Sequence, residues 1–194
     1  MTKMLLLSGS QRRESFNTRL LLHIAVGLTG YAEIDMLDAR EADLPLYNQD
    51  LVQNPAVVDR VAALHARFDS ADAVIVASPE YNSLPSPYLK NVIDWVSRLP
   101  RIAAGSQNPF YGCPVLLCSA STGWSGGAVG LTSARTLFGY LGAMVLGDQV
   151  CVPHADQSWN GAYYEFNPAF EEYIDAVLRR LVAVTIPRAS EVAA

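Results

Sequence analysis

The chain has 194 residues, a length suited to one domain, and its 51% hydrophobic content excludes wholesale disorder. Its 14 Lys and Arg against 19 Asp and Glu give a net charge of −5, which excludes the broad basic face of a nucleic-acid binder but leaves room for a local anion site. The opening apolar run at residues 4–7 is too short for a membrane span or a leader, so we expect no membrane partner and a cytoplasmic location.

Short apolar runs alternate with helical patterns along the chain. Residues 4–8 read as a first strand. From 15 to 28, Leu21, Ile24, Ala25 and Leu28 fall at helical spacing, and 32–37 read as a second strand with Ile34 and Met36 alternating. A loop rich in Asp, Pro and Asn spans 38–55. Val57, Val61, Leu64 and Phe68 stripe a second helix. The unbroken apolar run at 73–77 fits a strand covered on both faces. Leu89, Val92, Ile93 and Val96 mark a third helix, and 115–118 a fourth strand. Leu131, Ala134, Phe138 and Leu141 mark a fourth helix. A fifth strand lies within 143–152, and Phe170, Ile174, Val177 and Leu181 mark a fifth helix.

Five βα units in succession demand an α/β fold, with a parallel sheet, right-handed crossovers and helices on both faces. No repeat or linker divides the chain, so we expect one domain over 1–188 and a flexible tail at 189–194. Cys113, Cys118 and Cys151 form no CxxC pair and no zinc-type cluster; they read as reduced thiols acting as small buried hydrophobes. No metal site is expected.

In such sheets a ligand sits beyond the carboxyl ends of the strands, which narrows the functional question to three loops. The first, from Ser8 to Asn17, has the parts of a phosphate cradle. Gly9 permits an unusual turn, Ser10 and Ser15 bring hydroxyls, Asn17 an amide and Arg12 a charged fork. The start of the first helix adds free N–H groups and its positive dipole end. The plainer reading makes Ser15 a helix N-cap and Arg12 a solvated side chain. Neither a Walker loop nor a GxGxxG fingerprint is present. The second loop, from Pro79, carries Pro79, Pro85 and Pro87, which stiffen it enough to aim backbone groups at a flat heterocycle. The third, from Ser119 to Gly127, lets backbone approach a ligand at its glycines, while Ser121 and Thr122 can donate hydrogen bonds. Trp124 either stacks on a ring or lies in a surface turn.

The run Gly9-Ser10-x-Arg12-x-x-Ser15-Phe16-Asn17, with Pro79-Glu80-Tyr81-Asn82 and Leu89-Lys90-Asn91-x-Ile93-Asp94-Trp95, resembles the NADPH-dependent FMN reductase family. The resemblance covers roughly the first three quarters of the chain. It implies a flavodoxin-like three-layer sandwich of strand order 2-1-3-4-5 that holds FMN non-covalently. NADPH or NADH would be the donor, and a quinone, azo compound, flavin or chromate the acceptor. It places Ser10, Arg12, Ser15, Phe16 and Asn17 around the FMN phosphate and Pro79, Glu80, Tyr81, Asn82 and Ser83 along the isoalloxazine. Ser121, Thr122, Gly123 and Gly126 fall on its pyrimidine side. It also implies a homodimer or homotetramer.

Lys90, Asn91 and Asp94 read as structural, tying the third helix to its loop or reaching a neighbouring subunit, and Trp95 as core or interface. Ser86-Pro87-Tyr88 departs from the family pattern, with Tyr88 narrowing the site or joining a subunit contact. No single acid or base is required, because FMN carries the redox chemistry. His23 and His65 fall inside helices, and His154 reads as a loop residue rather than a general base. A flavodoxin-type electron carrier and a non-catalytic FMN-binding redox module are the competing readings.

Overall fold

The computed structural model describes residues 1–160 and 163–186. The expected tail at 189–194 and the last residues of the expected domain lie outside the described residues. In chain order the elements are β1 (Thr2–Ser8), α1 (Phe16–Gly27), β2 (Ala32–Leu37), a short 3₁₀ helix (Gln49–Gln53), α2 (Pro55–Asp69), β3 (Ala73–Ala77), β4 (Glu80–Tyr81), β5 (Leu84–Pro85) and α3 (Pro87–Ile102). There follow β6 (Pro114–Ala120), α4 (Ala128–Tyr140), β7 (Met144–Val152), β8 (Trp159–Asn160), β9 (Tyr163–Tyr164) and α5 (Pro168–Val184). The main sheet is parallel, in the order β2-β1-β3-β6-β7, which is the 2-1-3-4-5 order expected for a flavodoxin-like fold.

Alternation along the strands feeds two cores, one on each face. Leu5, Leu7, Val74 and Val76 point to the side covered by α2, α3 and α4, where Phe68, Trp95 and Phe138 pack. Met4, Leu6, Ile75 and Leu116 point to the other side, under Leu20 and Ile24 of α1 and Val177 and Leu181 of α5. All five residues of β3 are buried, as the central position of the strand requires. Cys113 and Cys118 are buried and Cys151 half-buried, and all three thiols are free. Among the described residues no helix is long and apolar enough to cross a membrane, and no cluster of His, Cys, Asp and Glu could hold a metal.

Four helices begin with a side-chain cap of their own. Ser15, Asn54, Ser86 and Asn167 accept from first-turn amides, and Pro55, Pro87 and Pro168 open their helices at a position that needs no N–H. The fifth, α4, begins at Gly127 with φ 86° and no side-chain cap on its own element. The long 38–55 loop is pinned from α3. Asn91 accepts from the Tyr47 amide at 2.7 Å and donates to the carbonyls of Leu44 and Pro45, while Trp95 Nε1 donates to Pro45 O at 2.7 Å. Trp95 is therefore core. Lys90 and Asp94 instead pair with each other one helical turn apart. Tyr88 also turns to this loop, donating to Ala39 O at 3.0 Å, and burial, then Asp43 and Asp38, push its hydroxyl pKa up.

Candidate active site

The carboxyl ends of β1, β3 and β6 lie side by side, so the loops that follow them converge. Gly9 shows how closely. Its N–H donates to Ala77 O at 2.7 Å, and a Cβ there would lie 3.1 Å from Ser78 Cα. Its φ is not positive, so a close approach to β3, and not the expected unusual turn, is what requires glycine. Buried serines stitch the loops together. Ser8 Oγ pairs with Thr18 Oγ1 at 2.8 Å, and Ser10 N donates to Ser8 Oγ. Ser86 Oγ donates to Gly9 O while accepting from Leu89 N at 3.0 Å, and Ser86 N donates to Ser78 Oγ.

A cleft of about 170 Å³ opens where these loops meet. Ser10, Arg12, Ser15, Phe16 and Asn17 form one wall, Pro79, Glu80 and Tyr81 the second, and Ala120, Ser121 and Thr122 the third. The cradle end is rich in donors. Ser15 Oγ accepts from Thr18 N at 3.3 Å, which leaves its own O–H to donate; it is a cap and a cleft residue at once. Ser10 Oγ likewise accepts from Arg12 N. Arg12 Nη2 donates to Glu14 O at 2.7 Å, and its guanidinium centre stands 5.5 Å from the Phe16 ring centroid. The amides of Phe16 and Asn17, at the first two helical positions, have no carbonyl partner within the helix. Two hydroxyls, a guanidinium and a helix N-terminus match the oxygens and charge of a phosphomonoester, so the residues fit the phosphate end of FMN.

Asn17 has a different principal job from the one its type suggested. Its Nδ2 donates to Ala120 O and its Oδ1 accepts from Ala120 N, both at 3.0 Å, so it brackets the end of β6 to the start of α1. Glu80 is also engaged by backbone. Its carboxylate accepts from Gly130 N at 2.8 Å and so caps α4 from another element, where negative charge meets the positive end of the helix dipole. Glycine at 130 and 127 makes room: a Cβ on Gly130 would come 3.0 Å from Glu80 Cγ, and one on Gly127 would overlap Ser119 Oγ. Ser119 Oγ is the one buried side-chain polar atom without a hydrogen bond among the described residues.

Asn82, Ser83, Gly123 and Gly126 do not line this cleft. Asn82 and Ser83, with φ of 53° and 65°, are the two-residue turn of the β4–β5 hairpin. Gly126, with φ 61°, lies against the backbone of Val152 and Pro153, where a Cβ would come within 2.8 Å. Gly123 O accepts from the amides of Gly126 and His154. Trp124 is 82% exposed and does not line the cleft. His23 pairs with Glu171 and the buried His65 bonds Gln107 O, each with no part in the cleft. Burial pushes the pKa of Cys118 and Cys151 up, so neither thiol is activated. Ala120 and Gly130 carry no signal in the sequence, because their roles are backbone contacts that residue type does not announce, and Ser86 stands out there only as part of a departure from the family pattern.

A profile of the NADPH-dependent FMN reductase family matches residues 2–157. The chain is 36% identical over 140 residues to the quinone reductase of Escherichia coli K12, covering 72% of this chain and 71% of that protein. An NAD(P)H-dependent FMN reductase of Pseudomonas aeruginosa is 37% identical over 129 residues, 65% of this chain and 63% of that one. Among solved structures, FerB, a flavoenzyme NAD(P)H:(acceptor) oxidoreductase from Paracoccus denitrificans, superposes with a TM-score of 0.79 at 23% identity, over 94% of this chain and 96% of its own. An FMN-dependent NADH-azoreductase from Bacillus anthracis, solved in complex with FMN, superposes with a TM-score of 0.63 at 13% identity, over 94% and 100%. These two share the fold. With the three-loop cleft at the strand ends and four fifths of the sequence matched by one family profile, the chain belongs to the NADPH-dependent FMN reductase family.

Proposed function

We propose that this protein is an FMN-dependent NAD(P)H oxidoreductase acting on small acceptors, with a quinone the first to test and azo compounds, free flavins and chromate next. The observation that carries the reading is the cleft itself, whose phosphate-type donors stand at one end and whose two rigid walls stand at the other. When bound, FMN supplies hydride chemistry at its N5. Ser10, Ser15 and Arg12 hold its phosphate with the first amides of α1, and Asn17 fixes the helix start they depend on. Phe16 backs the Arg12 guanidinium. Pro79, Glu80 and Tyr81 line one side of the ring, with Asn82 and Ser83 setting the hairpin that carries them. Ser121 and Thr122 donate to the pyrimidine edge, on a loop shaped by Gly123 and Gly126, and stabilise negative charge there.

We read the chain as one FMN-binding domain over 1–188, cytoplasmic, and a homodimer or homotetramer. Exposed Leu84 and Val129, beside the cleft wall, support a subunit contact. Light scattering after gel filtration gives the oligomeric state. The activity is tested by titrating the purified protein with FMN and then following NADH and NADPH oxidation against a quinone panel. Retained yellow colour and steady turnover are expected. Protein that neither binds FMN nor gains thermal protection from it overturns the reading, and flavin held without turnover returns it to an electron carrier or binding module.

A further inference from the structure

We propose that a second cleft, on the β2 side of the first loop, is a nucleoside-phosphate subsite that takes the adenosine phosphate half of a dinucleotide. This inference rests on the FMN reading above. The cavity measures about 390 Å³ and shares Ser10 and Arg12 with the flavin cleft, so the first loop is the common wall of both. Its volume falls in the range of about 300–1,000 Å³ typical of ligand sites. Met36, Leu37 and Ala39, at and just past the end of β2, supply an apolar floor, and Arg13 and Arg40 stand at its rim.

The charges of this cleft are unevenly engaged. Its carboxylate neighbours are already in use. Asp38 accepts from the Arg40 amide at 2.7 Å, Asp43 from Gln11 Nε2 at 3.0 Å, and Glu41 from Arg67 and the Asp38 amide. The guanidinium groups of Arg13 and Arg40, unlike that of Arg12, are open. Arg13 has no hydrogen bond or ion pair among the described residues, and Arg40 reaches Asp38 only at 3.5 Å, with both side chains exposed. In a chain of net charge −5, two open arginine forks over an apolar floor form a local anion site of defined shape. Arginine both chelates phosphate and stacks on a flat heterocycle, so a purine on the floor and a phosphate at the rim satisfy the site.

The place in the fold adds a second reason. The end of the second strand, beside the phosphate-binding loop, is where α/β nucleotide sites hold a ribose, with an acidic residue for its hydroxyls or an arginine for its phosphate. Asp38 and Arg40 follow β2 directly. Continuity with the flavin cleft through Ser10 and Arg12 points to a ligand whose other half sits in that cleft. Two sources of that chemistry are set apart by the test: NADPH, through its 2′-phosphoadenosine, and FAD, through its adenylate.

The test uses the full chain and the double variant Arg13→Ala/Arg40→Ala, which leaves the flavin cleft untouched. Calorimetric titration with adenosine 2′,5′-bisphosphate is run on flavin-free and FMN-loaded protein, and FAD and FMN affinities are compared by fluorescence quenching. The wild type binds the bisphosphate, and the variant binds it about tenfold more weakly with FMN affinity unchanged. A rise in KM for NADPH but not NADH identifies NADPH as the source. A selective loss of FAD affinity relative to FMN identifies FAD. If the bisphosphate does not bind the wild type, or if the variant alters none of these quantities, the proposal is overturned. Failure of the wild type to bind FMN is a separate result, which sinks the flavin reading and is visible before any variant is made.

Discussion

Asn17 and Glu80 both sit in the cleft, and both spend their polar atoms on backbone far away in sequence. Asn17 closes two bonds on Ala120, a residue 3% exposed. Asn17→Ala leaves that N–H and C=O without their partners. We expect a loss of about 2–3 kcal/mol in unfolding free energy, read by urea denaturation, with weaker FMN binding because the helix start shifts. Glu80→Ala strips α4 of its one side-chain cap among the described residues. Its cost is expected near 1 kcal/mol, and Glu80→Gln, which keeps the acceptor, loses less. The chemistry of the first loop marks Asn17 as an amide donor and the family resemblance marks Glu80, but neither assigns them these jobs. An amide in a serine-rich loop looks like a ligand donor until its partner, 103 positions on, is seen.

At the scale of elements, the legible parts are those set by local pattern. The continuous run of β3 and the helical stripes fixed the alternation, and β2 and β3 begin and end at the expected residues. The β4–β5 hairpin reads in the sequence as a proline-stiffened loop for a physical reason. Its turn is Asn82-Ser83, both left-handed, whereas the signature of such turns is Asn-Gly. Serine held in that conformation is strained. Ser83→Gly is therefore expected to raise stability by about 0.5–1 kcal/mol, seen as a higher denaturation midpoint with an unchanged slope. The β8–β9 pair and the 3₁₀ helix were also missed, since two- to five-residue elements give no period to detect.

Across the whole molecule, the outer strand is anchored by charge. Asp35 on β2 bonds Arg67 of α2 and faces Lys3 of β1, and Arg67 also holds Glu41 and Met36 O. Burial raises the Asp35 pKa, but the Arg67 bond and the two positive charges outweigh it, so the value falls below the ordinary 3.8. A depressed carboxylate pKa stabilises the fold above the unfolded value and loses that contribution as pH falls through the folded one. Stability is thus expected to fall as the pH drops below about 4 and this carboxylate takes up its proton. Arg67→Ala flattens that part of the acid limb in a pH series of denaturation curves.

The grip of α3 on the 38–55 segment has a further consequence. A stretch of this length with little regular structure is ordinarily the first to be cut by a protease. Here Asn91 and Trp95 hold its middle by three carbonyl and amide groups, at Leu44, Pro45 and Tyr47. Thermolysin should accordingly spare the bonds around Leu44 and Leu46 in the native protein. In Asn91→Ala the same bonds should become the earliest cleavage site, even where heat-melting curves barely move. Durability of the chain in a protease-rich setting would then hang on one asparagine outside both clefts.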